Sequence, residues 1–340
     1  MKGLILSGGS GTRMRPLTHS IAKQLLPIAN QPILHRAINQ MKDAGIIEIG
    51  IIVGSTAEQV QESVGDGSNF GVNVTYLRQL EPLGLAHCVK IARDFLQQDD
   101  FVMFLGDNMF QSGLAGLISD FEDNKRDRQA KAQVAVMTVS NPTAFGVATV
   151  GADSQLESVE EKPAAPKSNL AMVGTYCFSA AIHKVIETLK PSRRGELEIT
   201  DAIQQLVDVG MLVGVSEVSG WWFDTGNPDS FLECNARVLD SVSQEQRLFS
   251  SDVRIIEPCA ISSSAVLKNC TIGPYSSIGP GARVSGMNIS NSVLLEGSTL
   301  SGIGHLQHSI IGRRSSVNSS GAGKITLILG DDCDVSVGSE

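Results

Sequence analysis

An aliphatic residue recurs every six positions in the last third of the chain, and this period constrains the fold more than any other feature. The recurring residues are Ala260, Val266, Ile272, Ile278 and Val284, set among glycine, serine and other small residues. A hexapeptide period with an aliphatic anchor is typical of a left-handed parallel β-helix, whose triangular coils stack their anchors inward. The alternative is a disordered glycine- and serine-rich tail, but regular aliphatic anchors argue against disorder. The period therefore predicts a left-handed parallel β-helix.

The repeat has limits on both sides. It slips between Met287 and Leu300, so we expect a loop or an irregular coil there, and it resumes at Ile311 and Val317. Before the repeat, residues 241–252 are polar. We therefore predict two domains, residues 1–240 and residues 241–340.

The first 240 residues alternate short apolar runs with helical patterns. The runs predict strands at 3–6, 48–53, 72–77, 101–105 and 133–138. The helical patterns lie near 33–44, 57–64 and 85–96. Strands separated by single helices are typical of α/β folds with a mostly parallel sheet. We therefore predict a Rossmann-like, mostly parallel sheet whose ligands lie beyond the carboxyl ends of its strands.

Composition narrows the class of protein. A net charge of −9 over 340 residues argues against nonspecific nucleic-acid binding, which depends on basic patches. The six cysteines are scattered without a C-x-x-C pair, which favours buried reduced thiols over a zinc site or a disulfide framework. No signal peptide is visible, and no stretch approaches the roughly 20 apolar residues that span a bilayer. We therefore expect a cytoplasmic protein that binds neither nucleic acid nor membranes.

A glycine-rich loop follows the first predicted strand. Gly8, Gly9 and Gly11 allow turns whose backbone amides point in one direction, which suits an oxyanion. Arg13 and Lys23 follow closely and add positive charge. A strand, a glycine-rich turn and clustered cations together suit a bound polyphosphate. An ordinary tight turn with solvated arginines is the alternative, since glycine-rich turns are common.

Two common phosphate-binding motifs are excluded by their spacing. The Walker motif requires a Gly-Lys pair followed by Ser or Thr, and no lysine follows these glycines at that spacing. The dinucleotide-binding motif G-x-G-x-x-G requires a third glycine, but Met14 stands at its position. The spacing therefore excludes these two kinds of phosphate site for this loop.

Several segments match one family in order. Residues 6–27 read L-S-G-G-S-G-T-R-M-R-P-L-T-H-S-I-A-K-Q-L-L-P. This segment resembles the G-G-x-G-T-R-x-R-P-L-T…K signature of the sugar-nucleotide pyrophosphorylases. The motifs L-G-D-N at 105–108, E-E-K-P at 160–163 and W-F-D-T-G at 222–226 follow. The resemblance is to the glucose-1-phosphate thymidylyltransferases over residues 1 to about 239, and to their long form, with an appended β-helix, over nearly the whole chain.

The resemblance implies a nucleotide site and a sugar-phosphate site. The implied nucleotide-binding residues are Leu6, Gly8, Gly9, Gly11, Thr12, Arg13, Gln79, Pro82, Gly84, Gly106 and Asp107. The implied sugar-phosphate residues are Asn108, Gly146, Glu161, Lys162, Tyr176 and Arg194. Gln79 has an amide that can pair with the imide edge of a pyrimidine. His87 lies where many short members carry glutamine, and we interpret it as a helix-packing residue rather than a catalytic one.

The resemblance also implies a metal ion and a mechanism. Mg²⁺ usually takes one or two carboxylates plus substrate phosphates and water, and the implied ligands are Asp107 and Asp224. The sugar phosphate attacks the α-phosphorus in line, so catalysis is positioning and charge stabilisation by Arg13, Lys23 and Lys162. The expected substrates are dTTP and glucose 1-phosphate, which give dTDP-glucose and pyrophosphate.

Several alternatives stay open at this point. One methyl group separates thymine from uracil, so use of UTP, or of another sugar 1-phosphate, is an alternative. β-Helices also form acyltransferases, in which His305 or His308 would act as a base. A regulatory subunit that binds sugar nucleotides without turnover is a third alternative, although such a protein would be expected to lose the loop cations or the aspartates. We expect the β-helix to support a homo-oligomer.

Overall fold

The structure is a computed structural model of the 340-residue chain, and it describes residues 1–9, 11–241 and 249–338. Contacts group the chain into two compact units. The first unit comprises Met1–Gly9 and Leu34–Trp222, and the second comprises Ser10–Ile33 and Phe223–Glu340. The segment after Gly9, which carries Gly11, Arg13 and Lys23, therefore groups with the C-terminal third of the chain. Within the described residues, no helix combines the length and apolar character needed to cross a membrane.

The strands up to residue 241 are β1 (Lys2–Ser7), β2 (Pro27–Ile28), β3 (Gln31–Pro32), β4 (Glu48–Val53), β5 (Asn73–Arg78), β6 (Phe101–Leu105), β7 (Asn108–Phe110), β8 (Ala132–Thr138), β9 (Gly146–Val150), β10 (Leu156–Glu161), β11 (Leu170–Phe178), β12 (Val213–Glu217) and β13 (Trp222–Asp224). The helices are α1 (Ile33–Asp43), α2 (Ala57–Val64), α3 (Leu85–Ile91), α4 (Arg93–Leu96), α5 (Ala115–Arg128), α6 (Ala181–Thr188), α7 (Ile199–Asp208) and α8 (Pro228–Ser241).

The first unit is built on a nine-stranded sheet. Its central strands run in the order β6-β1-β4-β5, and all of them are parallel. β6, β1 and β4 are buried on both faces, which is why they appear in the sequence as apolar runs, whereas the edge strand β5 is partly exposed. Strand β11 extends the sheet by pairing antiparallel with β6, β8 and β9. The predicted Rossmann-like α/β fold with parallel strands is confirmed, and the five predicted strands are all present.

Helices cover this sheet with apolar faces. α3, α6 and α7 contact one another, and α5 contacts β8, β11 and β12. The predicted helix at 85–96 consists of two helices, α3 and α4, joined at Ala92. The largest fully buried side chains of this unit include Phe101, Phe104 and Phe178. The core therefore holds the strand ends in place, and the loops at those ends carry the candidate site.

The strands after residue 249 are β14 (Val253–Ile255), β15 (Cys259–Ile261), β16 (Val266–Lys268), β17 (Cys270–Ile272), β18 (Ser276–Ile278), β19 (Arg283–Ser285), β20 (Asn288–Leu294), β21 (Thr299–Gly302), β22 (His305–Ile311), β23 (Ser316–Ser319), β24 (Lys324–Ile325), β25 (Ile328–Leu329) and β26 (Asp334–Val337). They form two parallel sheets, one of eight strands and one of five.

The second unit stacks these strands in parallel with a nearly constant register. Val253 pairs with Cys270, a separation of 17 residues (253 and 270). Aliphatic side chains stack into three columns. The columns are Ile255-Ile272-Ile289-Leu306-Ile325, Ile261-Ile278-Leu294-Ile311-Leu329 and Leu267-Val284-Leu300-Val317-Val335. Together they form most of the apolar core of this unit.

Two expectations about the repeat were wrong in detail. Ala260 and Val266 are not the anchors of the first coil, because Ile261 and Leu267 pair with the buried Ile278 and Val284. A shift of one residue moves a side chain to the opposite face of a strand, so a weak period misassigns the anchor. The slip after Met287 is not a loop either. The seven-residue strand β20 lies there, and the register shortens to 16 residues between Arg283 and Thr299 (283 and 299).

The six cysteines all lie within the described residues, and none forms a disulfide. Five of them are buried, including Cys259 and Cys270 in the core of the second unit. Burial raises the pKa of both of these thiols to about 11. The prediction of buried reduced thiols is confirmed for these five, and Cys333 is half-buried.

Candidate active site

The second unit carries a cluster of two cations around one carboxylate. Gly11, in the left-handed region at a φ of 60°, caps a 3-10 turn at Thr12–Met14 and thereby places Arg13. Arg13 Nη2 lies 3.4 Å from Asp224 Oδ2, and Lys23 Nζ lies 3.6 Å from Asp224 Oδ1. The Arg13 side chain is 67% exposed, whereas Lys23 is 6% exposed. The carboxylate therefore balances a buried ammonium and an exposed guanidinium.

Close packing fixes this cluster. A Cβ added at Gly226 would lie 2.6 Å from Arg13 Nη2, and one at Gly11 would lie 3.0 Å from Thr18 Cγ2. The segment that follows is anchored on the stacked strands of the same unit. The Asn30 side-chain amide donates hydrogen bonds to the carbonyl oxygens of Ala260 and Ile278. Strands β15 and β18 thus anchor the segment that carries Arg13 and Lys23.

In the first unit, the end of β6 approaches the end of β1 closely. The Gly106 amide donates a hydrogen bond of 2.9 Å to the Leu6 carbonyl, and a Cβ at Gly106 would lie 2.8 Å from that oxygen. Asp107 follows, half-buried, and Asn108 is buried. Asn108 Oδ1 accepts a hydrogen bond from Trp222 Nε1 at 3.0 Å. The two strand ends bring the Gly8–Gly9 turn and Asp107 to one edge of the sheet.

The loop after β5 contains the predicted base-reading residues. Gln79 is buried, and a Cβ added at Gly8 would lie 3.2 Å from its Oε1. Pro82 is exposed. Gly84 has a φ of 105°, and a Cβ there would lie 2.4 Å from the Leu197 carbonyl oxygen. The structure therefore brings Gly8, Gln79 and Gly84 together, and it requires glycine at position 84.

The close approach of Gly84 to the Leu197 backbone can be tested by substitution. Gly84→Ala forces an alanine into the left-handed region and against the Leu197 backbone, so it should destabilise the protein by about 1–3 kcal/mol or more. It should also raise the KM for the nucleotide, because Gln79 Nε2 lies 3.4 Å from the Gly84 carbonyl oxygen. Thermal unfolding and steady-state kinetics measure both effects.

Gly116→Ala is the matched control for that experiment. Gly116 lies in α5, has no positive φ, and has open space at the position of an added Cβ. Alanine is the better helix former, so the control should keep or raise the melting temperature. Equal melting temperatures and equal KM values for the two variants would contradict the prediction.

The predicted sugar-phosphate residues lie around Glu161. Arg194 Nη1 lies 3.3 Å from Glu161 Oε1, Lys162 Nζ lies 3.5 Å from the same oxygen, and Thr200 Oγ1 donates to Oε2 at 3.2 Å. Arg194 also contacts the buried Glu198 at 3.4 Å. Burial raises the pKa of Glu161, and the charge of Lys162 opposes that rise. Two cations thus lie beside one carboxylate, an arrangement that suits a phosphate bound next to sugar hydroxyls.

Gly146 and Tyr176 differ in how they relate to this group. A Cβ at Gly146 would lie 3.3 Å from Glu161 Oε2 and 2.7 Å from Thr200 Cγ2, so the backbone approaches Glu161 there. Tyr176 is buried in the core and packs on Phe178 with ring centroids 5.9 Å apart. Burial raises the pKa of Tyr176, and Glu161 adds to the rise. Its role in lining a sugar pocket stays a prediction.

The described residues contain no group of three or more histidine, cysteine, aspartate or glutamate side chains that could hold a metal ion on its own. One or two carboxylates completed by substrate phosphates is the usual arrangement for Mg²⁺. A site of that kind relies on the substrate for its remaining ligands, and the role of Asp107 and Asp224 as its carboxylates stays a prediction.

The two histidines considered for acyl transfer have structural partners in the second unit. His305 Nε2 lies 2.7 Å from Ser290 Oγ. His308 Nδ1 lies 3.1 Å from Asn291 Nδ2, and its Nε2 lies 2.8 Å from Asp229 Oδ1. These contacts link successive coils and the helix α8, so both imidazoles have a structural role.

Comparison with known proteins identifies the class. Residues 2–241 match the family described as nucleotidyl transferase, and residues 255–339 match the GMPPB C-terminal domain. The chain therefore belongs to the nucleotidyl transferase family. It is 42% identical to a glucose-1-phosphate thymidylyltransferase of Streptomyces griseus over 94% of each chain. It is 40% identical to the Streptomyces antibioticus enzyme over 100% of each chain. The resemblance to glucose-1-phosphate thymidylyltransferases is confirmed.

Further comparisons agree with this class. The chain is 42% identical over 94% of each chain to the low-salt glycan biosynthesis nucleotidyltransferase Agl11 of Haloferax volcanii. A Bacillus anthracis structure provisionally assigned as a glucose-1-phosphate thymidylyltransferase, in complex with sucrose, superposes with a TM-score of 0.66 at 35% identity. The match covers 72% of this chain and 98% of that one. The prediction of a nucleotidyltransferase is confirmed.

Sequence reasoning missed several contacts of the candidate site. Trp222 orients Asn108, and Glu198 shares Arg194 with Glu161. His87 Nδ1 lies 3.2 Å from Gln79 Nε2, so this histidine does more than pack a helix. The eight-residue spacing from Gln79, across the Gly84 turn, was the available signal for His87. Whether this spacing brings the two side chains into contact depends on the conformation of the turn at Gly84, which the sequence pattern does not specify.

Proposed function

We propose that this protein transfers a thymidylyl group from dTTP to glucose 1-phosphate, giving dTDP-glucose and pyrophosphate. The observation that carries the proposal is the pairing of Arg13 and buried Lys23 with Asp224 beyond a glycine-rich turn. A carboxylate that contacts two cations keeps them oriented until a polyphosphate competes for them. The similarity to named thymidylyltransferases over at least 94% of the chain supports the same conclusion.

The proposed chemistry is in-line attack by the sugar phosphate on the α-phosphorus. A phosphate monoester with a second pKa of about 6 is mostly dianionic at pH 7, so the attack requires no general base. Arg13 stabilises the charge that develops on the leaving pyrophosphate, and Lys23 and Lys162 hold the two phosphates against their mutual repulsion. Catalysis then consists of orientation and electrostatic stabilisation.

We propose Asp107 and Asp224 as the protein ligands of a Mg²⁺ ion. Bound Mg²⁺ neutralises phosphate charge and orients the phosphate oxygens. The support within the second unit is that Asp224 is 30% exposed and holds its cations at 3.4–3.6 Å. When phosphates take over these cations, the carboxylate becomes available to a metal ion.

We propose that the sugar end of the substrate is bound by the Glu161 group. Glu161 accepts hydrogen bonds from sugar hydroxyls, and Arg194 and Lys162 bind the phosphate. The three carboxylates around Arg194, at 3.3, 3.4 and 3.6 Å, keep it in place before the phosphate arrives. Asn108 and Gly146 belong to the same proposed pocket.

The C-terminal residues 241–340 are proposed to form a left-handed parallel β-helix, and residues 1–240 to carry the transfer reaction. Three stacked aliphatic columns and the parallel register support the coil architecture.

β26 pairs only with β23 among the described residues, and an open strand edge favours pairing between copies. We therefore propose a cytoplasmic homo-oligomer. Light scattering across protein concentrations tests the assembly, and a monomer at all concentrations would contradict it.

Pyrophosphate release across a panel of triphosphates and sugar 1-phosphates tests the proposed function. We expect dTTP with glucose 1-phosphate to be the best pair, with UTP the nearest competitor because thymine and uracil differ by one methyl group. If no pair releases pyrophosphate above background, the enzyme reaction is wrong and the regulatory alternative replaces it. Acetyl-CoA turnover with an amino-sugar phosphate would instead support acyl transfer.

A further inference from the structure

We propose that His87 is a positioning residue that fixes the amide of Gln79, so that its carbonyl oxygen faces the nucleotide base and selects bases with an imide N–H. This inference rests on the proposed function, because it assigns Gln79 to the base. It concerns the choice between pyrimidines that carry an N3–H donor and those that do not. Gly8, Gln79, Gly84 and His87 all lie within the first unit.

Two acceptors hold the nitrogen end of the Gln79 amide. Nε2 lies 3.4 Å from the Gly84 carbonyl oxygen and 3.2 Å from His87 Nδ1. A backbone carbonyl can only accept a hydrogen bond, so the Gly84 contact, long at 3.4 Å, favours an amide that directs its NH₂ group toward Gly84. The remaining proton of that NH₂ group faces His87, so Nδ1 must be the unprotonated nitrogen of a neutral imidazole.

The surroundings of His87 favour the neutral ring. Burial lowers the pKa of His87, and the charge of Lys90 on the same helix lowers it further. Glu81 in the preceding loop opposes this shift. The net lowering leaves the ring neutral at pH 7, with the proton on Nε2 and the lone pair of Nδ1 available to Gln79.

With both amide protons engaged, the oxygen of Gln79 points the other way. A Cβ added at Gly8 would lie 3.2 Å from Oε1, so this oxygen lies beside the glycine turn that follows β1. Gly8 leaves room there for a ligand edge. Thymine and uracil present an N3–H donor on that edge, whereas cytosine presents an N3 acceptor. An oxygen fixed in this position binds the former and repels the latter.

His87 is needed because the Gly84 carbonyl by itself does not hold the Gln79 side-chain amide in one orientation. The Gly84 carbonyl also accepts a hydrogen bond from Cys88 Sγ at 3.6 Å, so its lone pairs are shared. Without the Nδ1 acceptor, one proton of Gln79 loses its partner in a buried place. Rotation of the amide by half a turn would then present NH₂ to the base and relax the selection.

The test compares His87→Leu with His87→Asn in the full-length enzyme. Leucine removes the acceptor while keeping an apolar packing group, and asparagine restores an oxygen acceptor near the position of Nδ1. We expect His87→Leu to raise the KM for dTTP by about three- to tenfold with kcat nearly unchanged, and to reduce the preference for dTTP over dCTP by a similar factor. His87→Asn should recover both values.

Binding of dTTP and dCTP without sugar, measured by titration calorimetry, provides a readout independent of turnover. If the leucine variant weakens both nucleotides equally, the positioning role is wrong and His87 only supports the fold. If wild-type protein neither binds nor turns over dTTP, the proposed function itself fails, which is a different result from failure of the His87 inference.

A measurement on the unmodified protein covers the case in which the leucine variant does not fold. The ¹⁵N chemical shifts of the His87 ring report which nitrogen carries the proton. We expect a neutral ring with unprotonated Nδ1 at pH 7. A proton on Nδ1 would overturn the inference, because that nitrogen could not accept from Gln79.

Discussion

Arg13→Ala is expected to lower kcat by about 10²–10³-fold, the usual cost of removing one donor that stabilises transition-state charge. Arg13 lies on the turn capped by Gly11 and is 67% exposed, so its guanidinium is free to meet a phosphate while Asp224 keeps it oriented. An exposed ion pair contributes at most about 1 kcal/mol to stability. The melting temperature should therefore stay close to that of the wild type.

Pyrophosphate release under saturating substrates measures this effect, with thermal unfolding recorded on the same preparation. Arg254→Ala is the control, since Arg254 is an exposed arginine on β14 and has no role in the proposed site. Arg254→Ala should retain wild-type turnover. Turnover of Arg13→Ala within about threefold of the wild type would remove Arg13 from the proposed mechanism.

Asp224→Asn is the second substitution with a large expected effect, because asparagine keeps the shape of the side chain and removes its charge. Mg²⁺ prefers carboxylate ligands, and loss of several kcal/mol of metal stabilisation corresponds to a fall in kcat of about 10²-fold or more. The Mg²⁺ concentration for half-maximal activity should rise as well. Lys23 is buried, and loss of its counterion should also lower the melting temperature.

Asp229→Asn is the matched control for Asp224. It changes the same residue type five positions later, on a side chain that is 85% exposed and contacts His308. This variant should keep the wild-type dependence on Mg²⁺. If Asp224→Asn shows an unchanged Mg²⁺ dependence at wild-type turnover, Asp224 is not a metal ligand, and its role is limited to holding Arg13 and Lys23.

Much of the first unit could be predicted because its signals are local. The runs at 48–53 and 101–105 coincide with β4 and β6, since strands buried on both faces are unbroken apolar segments. Gly84 in this unit and Gly11 in the second unit could also be singled out from the sequence. Both lie at positive φ, which strongly favours glycine, and both adjoin groups that leave no space for a side chain.

In the C-terminal strands, the local sequence pattern is not sufficient to predict which residues are buried. The six-residue period predicted the anchors Ile272, Ile278 and Val284 correctly, but the residues that pair with Ile278 and Val284 are Ile261 and Leu267 rather than their neighbours Ala260 and Val266. In these short strands, inward and outward residues differ little in hydrophobicity. The pairing register with the neighbouring strand decides which residue faces the core. That register joins residues 17 positions apart (261 and 278), so a local pattern does not reveal it.

The sequence by itself determined the α/β architecture with parallel strands, the repeated aliphatic residues of the C-terminal strands and the residue types of the glycine-rich loop. It did so because these features depend on hydrophobic period, glycine conformation and short motifs. Only the tertiary structure decided that Asp224 pairs with Arg13 and Lys23, and that His87 and Gly84 hold one end of the Gln79 amide. Hydrogen-bond direction depends on where folded acceptors lie in space, and a sequence pattern does not contain that information.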